Sequence, residues 1–215
     1  MVSGKSSVRL EAGFAPNPAE DSSAVIPLCF APIFNEGESI WSDKLLPVLA
    51  NKDFGQVPPR IFEYGTGMGG VLRAVTRKHF ECGGVDICSA MLSFCKQHVP
   101  DFSRLGIIGE DGICDVPSEW ADLAYSCNAL DHLPTMSQLL TAISEIARIL
   151  KPGGHLKFRF RLTLSTFGLP SVFRFPTKRS QARMESLLRS VALEPLKIEQ
   201  DDDPQKRYWI TARKL

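Results

Sequence analysis

Gly65, Gly67, Gly69 and Gly70 stand together between a short apolar run and a helical pattern. Glycines clustered at such a junction let the chain turn sharply, and they let backbone N–H groups approach a ligand that any Cβ would push away. Ahead of the cluster, Arg60 to Tyr64 reads as a short buried strand. Behind it, Val71, Leu72 and Val75 put one face of a helix inward from about Gly69 to Phe80. The same alternation then repeats, with strands at Cys82 to Asp86, Arg104 to Gly109 and Asp122 to Ser126, and a helix at Ser89 to Val99. Strands separated by helices imply right-handed crossovers, a parallel sheet and helices on both faces.

The best signalled element follows. Thr135 and Gln138 form a capping box, Leu139, Ile143, Ile146 and Leu150 share a face, and Pro152, Gly153 and Gly154 stop the helix. A fifth strand is predicted at His155 to Leu164, and then an amphipathic helix carrying Met184, Leu187, Leu188 and Val191. Two last strands, Leu193 to Gln200 and Arg207 to Arg213, flank an Asp-rich turn and are close enough to pair as an antiparallel hairpin. The sheet is therefore mixed. Before the first strand, Ile40, Trp41, Leu45, Val48 and Leu49 predict one more helix from Glu38 to about Ala50. Residues 1–37, with isolated aromatics and prolines, are expected to be an arm or lid, and residues 38–215 the domain proper.

A chain of 215 residues has room for one α/β domain and no second one. Its formal net charge of +1 lacks the excess of Lys and Arg with which nucleic-acid binders displace counterions. No apolar run is long enough to span a bilayer and no signal peptide is recognisable, so a cytoplasmic protein without membrane partners is expected, a monomer or homodimer. No pair of its six cysteines has C-x-x-C spacing, and no metal is expected; the run Asp201 to Asp203 is taken as a solvated turn.

Asp86 ends the second strand 23 positions after Glu63, the spacing at which a carboxylate accepts from the two hydroxyls of a ribose. Gly65, Gly67 and Gly70 also satisfy G-x-G-x-x-G, so the loop alone leaves NAD and S-adenosylmethionine (SAM) both open. Glu63 separates them. A carboxylate two residues before the first glycine repels a pyrophosphate but suits the cationic amino-acid end of SAM.

The chain resembles the class I SAM-dependent methyltransferases over roughly residues 38–215. The motifs occur in the family's order: EYGTGMGG (63–70), GVDICSAML (84–92), EDG (110–112), DLAYSCNALDHL (122–133) and ILKPGGHLKF (149–158). The resemblance implies a Rossmann-like α/β fold with a seven-stranded mixed sheet of order 3-2-1-4-5-7-6, and SAM as cofactor. It implies that Glu63, Gly65 and Gly67 line the methionine part, Asp86 the ribose, and Ile87 and Met91 the adenine faces. Asp111 would accept from the adenine amino group, the backbone at Gly112 would contact the ring, and Asn128 would lie by the amino-acid end and the sulfonium.

A small-molecule acceptor is expected. The segment Cys127 to His132 departs from the N-P-P-Y pattern of the family's amide and exocyclic-amine methylases. His132 is the candidate general base, although methyl transfer gains most from holding the acceptor in line with the methyl group. Phe34, Trp41, Phe167 and Phe173 are candidate substrate residues at an apolar rim. The same motifs also fit an enzyme that uses SAM for alkyl transfer or an internal cyclisation, or a protein or RNA methyltransferase.

Overall fold

The computed structural model describes residues 28–50, 52, 54, 57–99, 102–161, 178–202 and 207–215. They fall in two compact units, Met1–Gly106 and Ile107–Leu215.

In the first unit helix α1 (Ala31–Ile40) begins at Ala31-Pro32, where proline suits an N-terminus because its missing N–H is an orphan there anyway. A π-helical turn (Trp41–Leu45) carries the chain into α2 (Leu46–Leu49). Pro47 accounts for the turn: a proline ring clashes with the carbonyl four residues back, and a locally widened helix relieves the clash. Phe34, Gly37, Ile40, Trp41, Leu45 and Leu49 form the buried stripe. The helix thus starts seven residues earlier than Glu38 and crosses the expected boundary at residue 37. Its first turn was hidden because Pro32 and Phe34 read as part of a proline-rich arm.

Strand β1 (Ile61–Tyr64) runs parallel to β2 (Cys82–Asp86), with Glu63 opposite Gly84. Every residue of both strands is buried, as expected of parallel strands covered on both faces. Helix α3 (Gly70–Thr76) is shorter than the predicted helix and gives way to a turn with His79 in the left-handed region. Then come α4 (Ser89–His98) and β3 (Arg104–Ile107). Helix α1 meets the start of α3 backbone to backbone. A Cβ on Gly37 would lie 2.7 Å from Val71 N, and one on Gly70 would lie 2.9 Å from Ile33 O.

In the second unit β4 (Ala121–Ser126) runs parallel to β5 (Leu150–Arg161). The register shifts between Ala121 and Leu123, because Leu150 and then His155 face these two positions and the intervening residues bulge, with Gly153 at φ 76°. Strand β5 therefore starts at Leu150 rather than His155. The Pro-Gly-Gly sequence ends the helix but belongs to the strand. Helix α5 (Met136–Ile149) is capped by Thr135, whose Oγ1 accepts from Gln138 N at 3.2 Å. Helix α6 (Lys178–Ser190) is followed by β6 (Leu193–Gln200) and β7 (Arg207–Lys214), an antiparallel pair in which β7 also pairs antiparallel with β5. The seven strands form one sheet in the order β3-β2-β1-β4-β5-β7-β6, the order the resemblance implies.

Candidate active site

Within the first unit, the glycine turn is held from the end of β2. Gly65 N and Thr66 N both donate to Val85 O, at 2.8 and 2.9 Å. Gly67 N donates to Asp86 Oδ2 at 2.7 Å and Cys88 N donates to Asp86 Oδ1 at 2.8 Å. Gly65, Gly67 and Gly69 take φ values of 82°, 54° and 81°, the left-handed region that only glycine enters at no cost. A Cβ on Gly69 would lie 2.6 Å from both Cys95 Sγ and Val99 Cγ2, so α4 packs directly on the turn.

Glu63 is buried in β1 and Asp86 is buried at the end of β2. Their charges are felt by the thiol of Cys95, which is pushed up to about 12 by burial first and by the Glu63 and Asp86 carboxylates next. Cys95 is a packing residue. Immediately beyond Asp86 the surface turns apolar and open, with Ile87 74% and Met91 43% exposed. Phe34 and Trp41, expected at a rim, are instead core residues. Phe34 lies under the Arg73 guanidinium at 5.1 Å, and Trp41 packs edge-on to Phe80 at 5.5 Å. Both sit on the inner face of the helix whose early start was missed. Phe167 and Phe173 lie outside the described residues.

Within the second unit, Asp111 is exposed and its Oδ1 accepts from Ile113 N at 3.0 Å, closing a tight turn through Gly112 at φ 81°. The chain just after it is anchored to α5. Buried Glu145 accepts from Cys114 N at 3.0 Å and from Arg148 at 2.7 Å, while Arg148 reaches the carbonyl of Val116 at 2.7 Å. Burial works to raise the Glu145 carboxyl, but the hydrogen bonds from Arg148 and from the Cys114 amide and thiol, with the Arg148 charge, hold it below the ordinary carboxylate value. At the carboxyl end of β4, Ser126 Oγ is fully buried with no hydrogen-bond partner among the described residues. Asn128 is exposed, and its Oδ1 accepts from both Arg159 and Arg207. His132 is exposed at the end of a 3₁₀ turn (Leu130–His132).

Residues 62–158 match the methyltransferase domain family model. Over these residues the chain is similar to that family. The malonyl-[acyl-carrier protein] O-methyltransferase of Methylococcus capsulatus is 33% identical over 121 residues, covering 54% of this chain and 40% of that protein. A putative methyltransferase of Bacillus subtilis is 28% identical over 116 residues, covering 53% of this chain and 46% of its own length. The chain thus spans less than half the length of these curated relatives. A TehB-like SAM-dependent methyltransferase from Corynebacterium glutamicum shares the fold, with a TM-score of 0.62 at 16% identity over 83% of this chain and 88% of that one.

The first unit fits SAM, the cofactor that the family resemblance implies. The left-handed glycines leave backbone where side chains would stand, Asp86 keeps lone pairs beyond the two it gives to N–H groups, and Ile87 and Met91 offer exposed apolar surface beside it. Sequence reasoning missed Thr66, Arg159 and Arg207. Gly84 is glycine because a Cβ there would run into Thr66 Oγ1, which cannot be read without the register of β1 on β2. Arg159 carried a signal, since Lys157, Arg159 and Arg161 alternate with Leu156, Phe158 and Phe160 on a strand expected in the core.

Proposed function

We propose that this methyltransferase domain transfers the methyl group of SAM to a small-molecule acceptor. The observation that carries the reading is the glycine turn fastened to Asp86, with a buried acid before it and exposed apolar side chains after it. When bound, the cofactor supplies a methyl group on a positively charged sulfur. Buried Glu63 favours that cationic end, and Asp86 accepts from the ribose hydroxyls with the lone pairs left to it. Ile87 and Met91 flank the adenine, and Asp111 and Gly112 meet its edge, as the family motif assigns them. His132 is the candidate base for the acceptor's proton.

The small acceptor is supported by the net charge of +1 and by the absence of an amide-methylase motif after β4. A second acceptor class is an acyl group carried on a protein, which the name of the M. capsulatus relative suggests. Mass spectrometry of the full chain incubated with SAM and either a metabolite pool or acylated carrier proteins decides between them. The expected result is S-adenosylhomocysteine (SAH) together with one metabolite heavier by a methyl group. Methylthioadenosine without methylated product overturns methyl transfer in favour of alkyl transfer. If His132 is the base, His132→Ala slows single-turnover transfer by about 10²–10⁴-fold; a smaller loss leaves in-line positioning as the main catalytic device.

A further inference from the structure

Gly37 stands inside α1, where alanine would favour the helix more and no left-handed backbone calls for glycine. The reason for glycine is space. A Cβ on Gly37 would run into the carbonyl of Gly70 and lie 2.7 Å from Val71 N, and a Cβ on Gly70 would lie 2.9 Å from Ile33 O. Helix α1 therefore touches, backbone against backbone, the residues at which α3 leaves the glycine turn.

The turn has little room to yield. From the β2 side, Val85 O holds Gly65 N and Thr66 N, and Asp86 holds Gly67 N. Gly69, which caps α3, donates from its N–H to Thr66 O at 2.9 Å, and its own carbonyl accepts from Arg73 N at 2.9 Å. Toward α4, Cys95 and Val99 leave no space for a Cβ on Gly69. The pair of α1 and α3 is also fastened along its length. Phe34 lies under the Arg73 guanidinium at 5.1 Å, Arg77 Nη1 donates to Glu38 Oε1 at 3.4 Å, and Trp41 packs edge-on to Phe80 at 5.5 Å. A push from α1 at Gly37 is thus passed into the start of α3 and the turn, because it meets backbone and not a side chain that can swing aside.

We propose that Gly37, which lies outside the glycine-rich motif, is a positioning residue for the cofactor turn: its missing side chain lets α1 set where the N–H groups of residues 65–69 stand. This rests on the SAM reading of the turn and adds to it a residue of α1.

Gly37→Ala tests it by calorimetry with SAH on the full chain, at a temperature where circular dichroism shows wild type and variant equally folded. Atoms in contact sit about 3.5 Å apart, so the added Cβ forces the two backbones to part by roughly 1 Å. Misplacement on that scale should lower SAH affinity by about 10- to 100-fold. Phe80→Leu is the control: at the distant end of the same helix pair, it should lower the melting temperature and leave SAH affinity unchanged. Gly70→Ala, whose Cβ is directed at Ile33 and makes the milder contact, gives the same reading from the α3 side should Gly37→Ala fail to fold. Wild-type SAH affinity in both glycine variants overturns the inference. An equal loss of affinity in Phe80→Leu also overturns it, since the effect would then follow stability alone. Failure of SAH to bind the wild-type chain overturns the SAM reading and this inference with it.

Discussion

Asp86 carries two duties through one carboxylate. The spacing from Glu63 points to a ribose, so removing the carboxylate ought to cost ligand affinity far more than stability. The structure adds that its two oxygens also hold Gly67 N and Cys88 N, both partly buried. Asp86→Ala is therefore expected to lose about 1–3 kcal/mol of unfolding free energy as well as SAH affinity, since it leaves two backbone donors without their charged acceptor. Asp86→Asn keeps one of the two acceptors and should fall between. Urea denaturation with and without SAH separates the duties, and wild-type stability in Asp86→Ala would show that the turn is held without the carboxylate. The site was legible at residues whose partners lie close along the chain, such as Gly65, Gly67 and Asp86. It was not legible at Asn128, because its partners come from β5 and β7 and only the folded hairpin brings them together.

Elements were most legible where burial has a simple period and least where a proline interrupts it. Strand β2 takes its predicted bounds and helix α5 begins where predicted, since every residue of the one is buried and the other is capped by Thr135. Helix α1 was read late and β5 was read as starting late because Pro32 and Pro152 look like breaks. In the first case proline begins the helix, and in the second it sits in a bulge. The packing of α1 on α3 makes a sharp test at Gly37. On propensity alone, Gly37→Ala should stabilise the helix by about 1 kcal/mol. The added Cβ, however, would run into the Gly70 carbonyl and sit 2.7 Å from Val71 N, and backbone cannot swing aside as a flexible side chain can. Overpacking of this kind costs about 1–3 kcal/mol, so the net effect should be destabilising. Guanidinium unfolding of the two proteins checks the sign, and a gain in stability would mean that α1 and α3 are not in backbone contact.

For the whole molecule, the alternation of strands with helices up to β5 and the closeness of the last two strands in sequence made a mixed sheet with a terminal hairpin legible, while the order of the seven strands was implied by the family resemblance. The measurement at this scale is how far a ligand moves the folding equilibrium. A compound that binds only the native chain adds about 2.7 kcal/mol at 100 times its dissociation constant. For a protein of 150 to 250 residues each kcal/mol moves the melting temperature by about 2–4 °C, so SAH at that excess should raise it by roughly 5–11 °C. NAD at the same concentration should leave it unmoved, because the G-x-G-x-x-G pattern is shared but Glu63, buried in β1 just before the turn, disfavours a pyrophosphate. The comparison needs no knowledge of the acceptor, since it depends on the glycine turn and its acids alone. A shift with NAD and none with SAH would reverse the cofactor assignment, and Asp86→Ala, melted at the same SAH concentration, should recover only a small part of the wild-type shift.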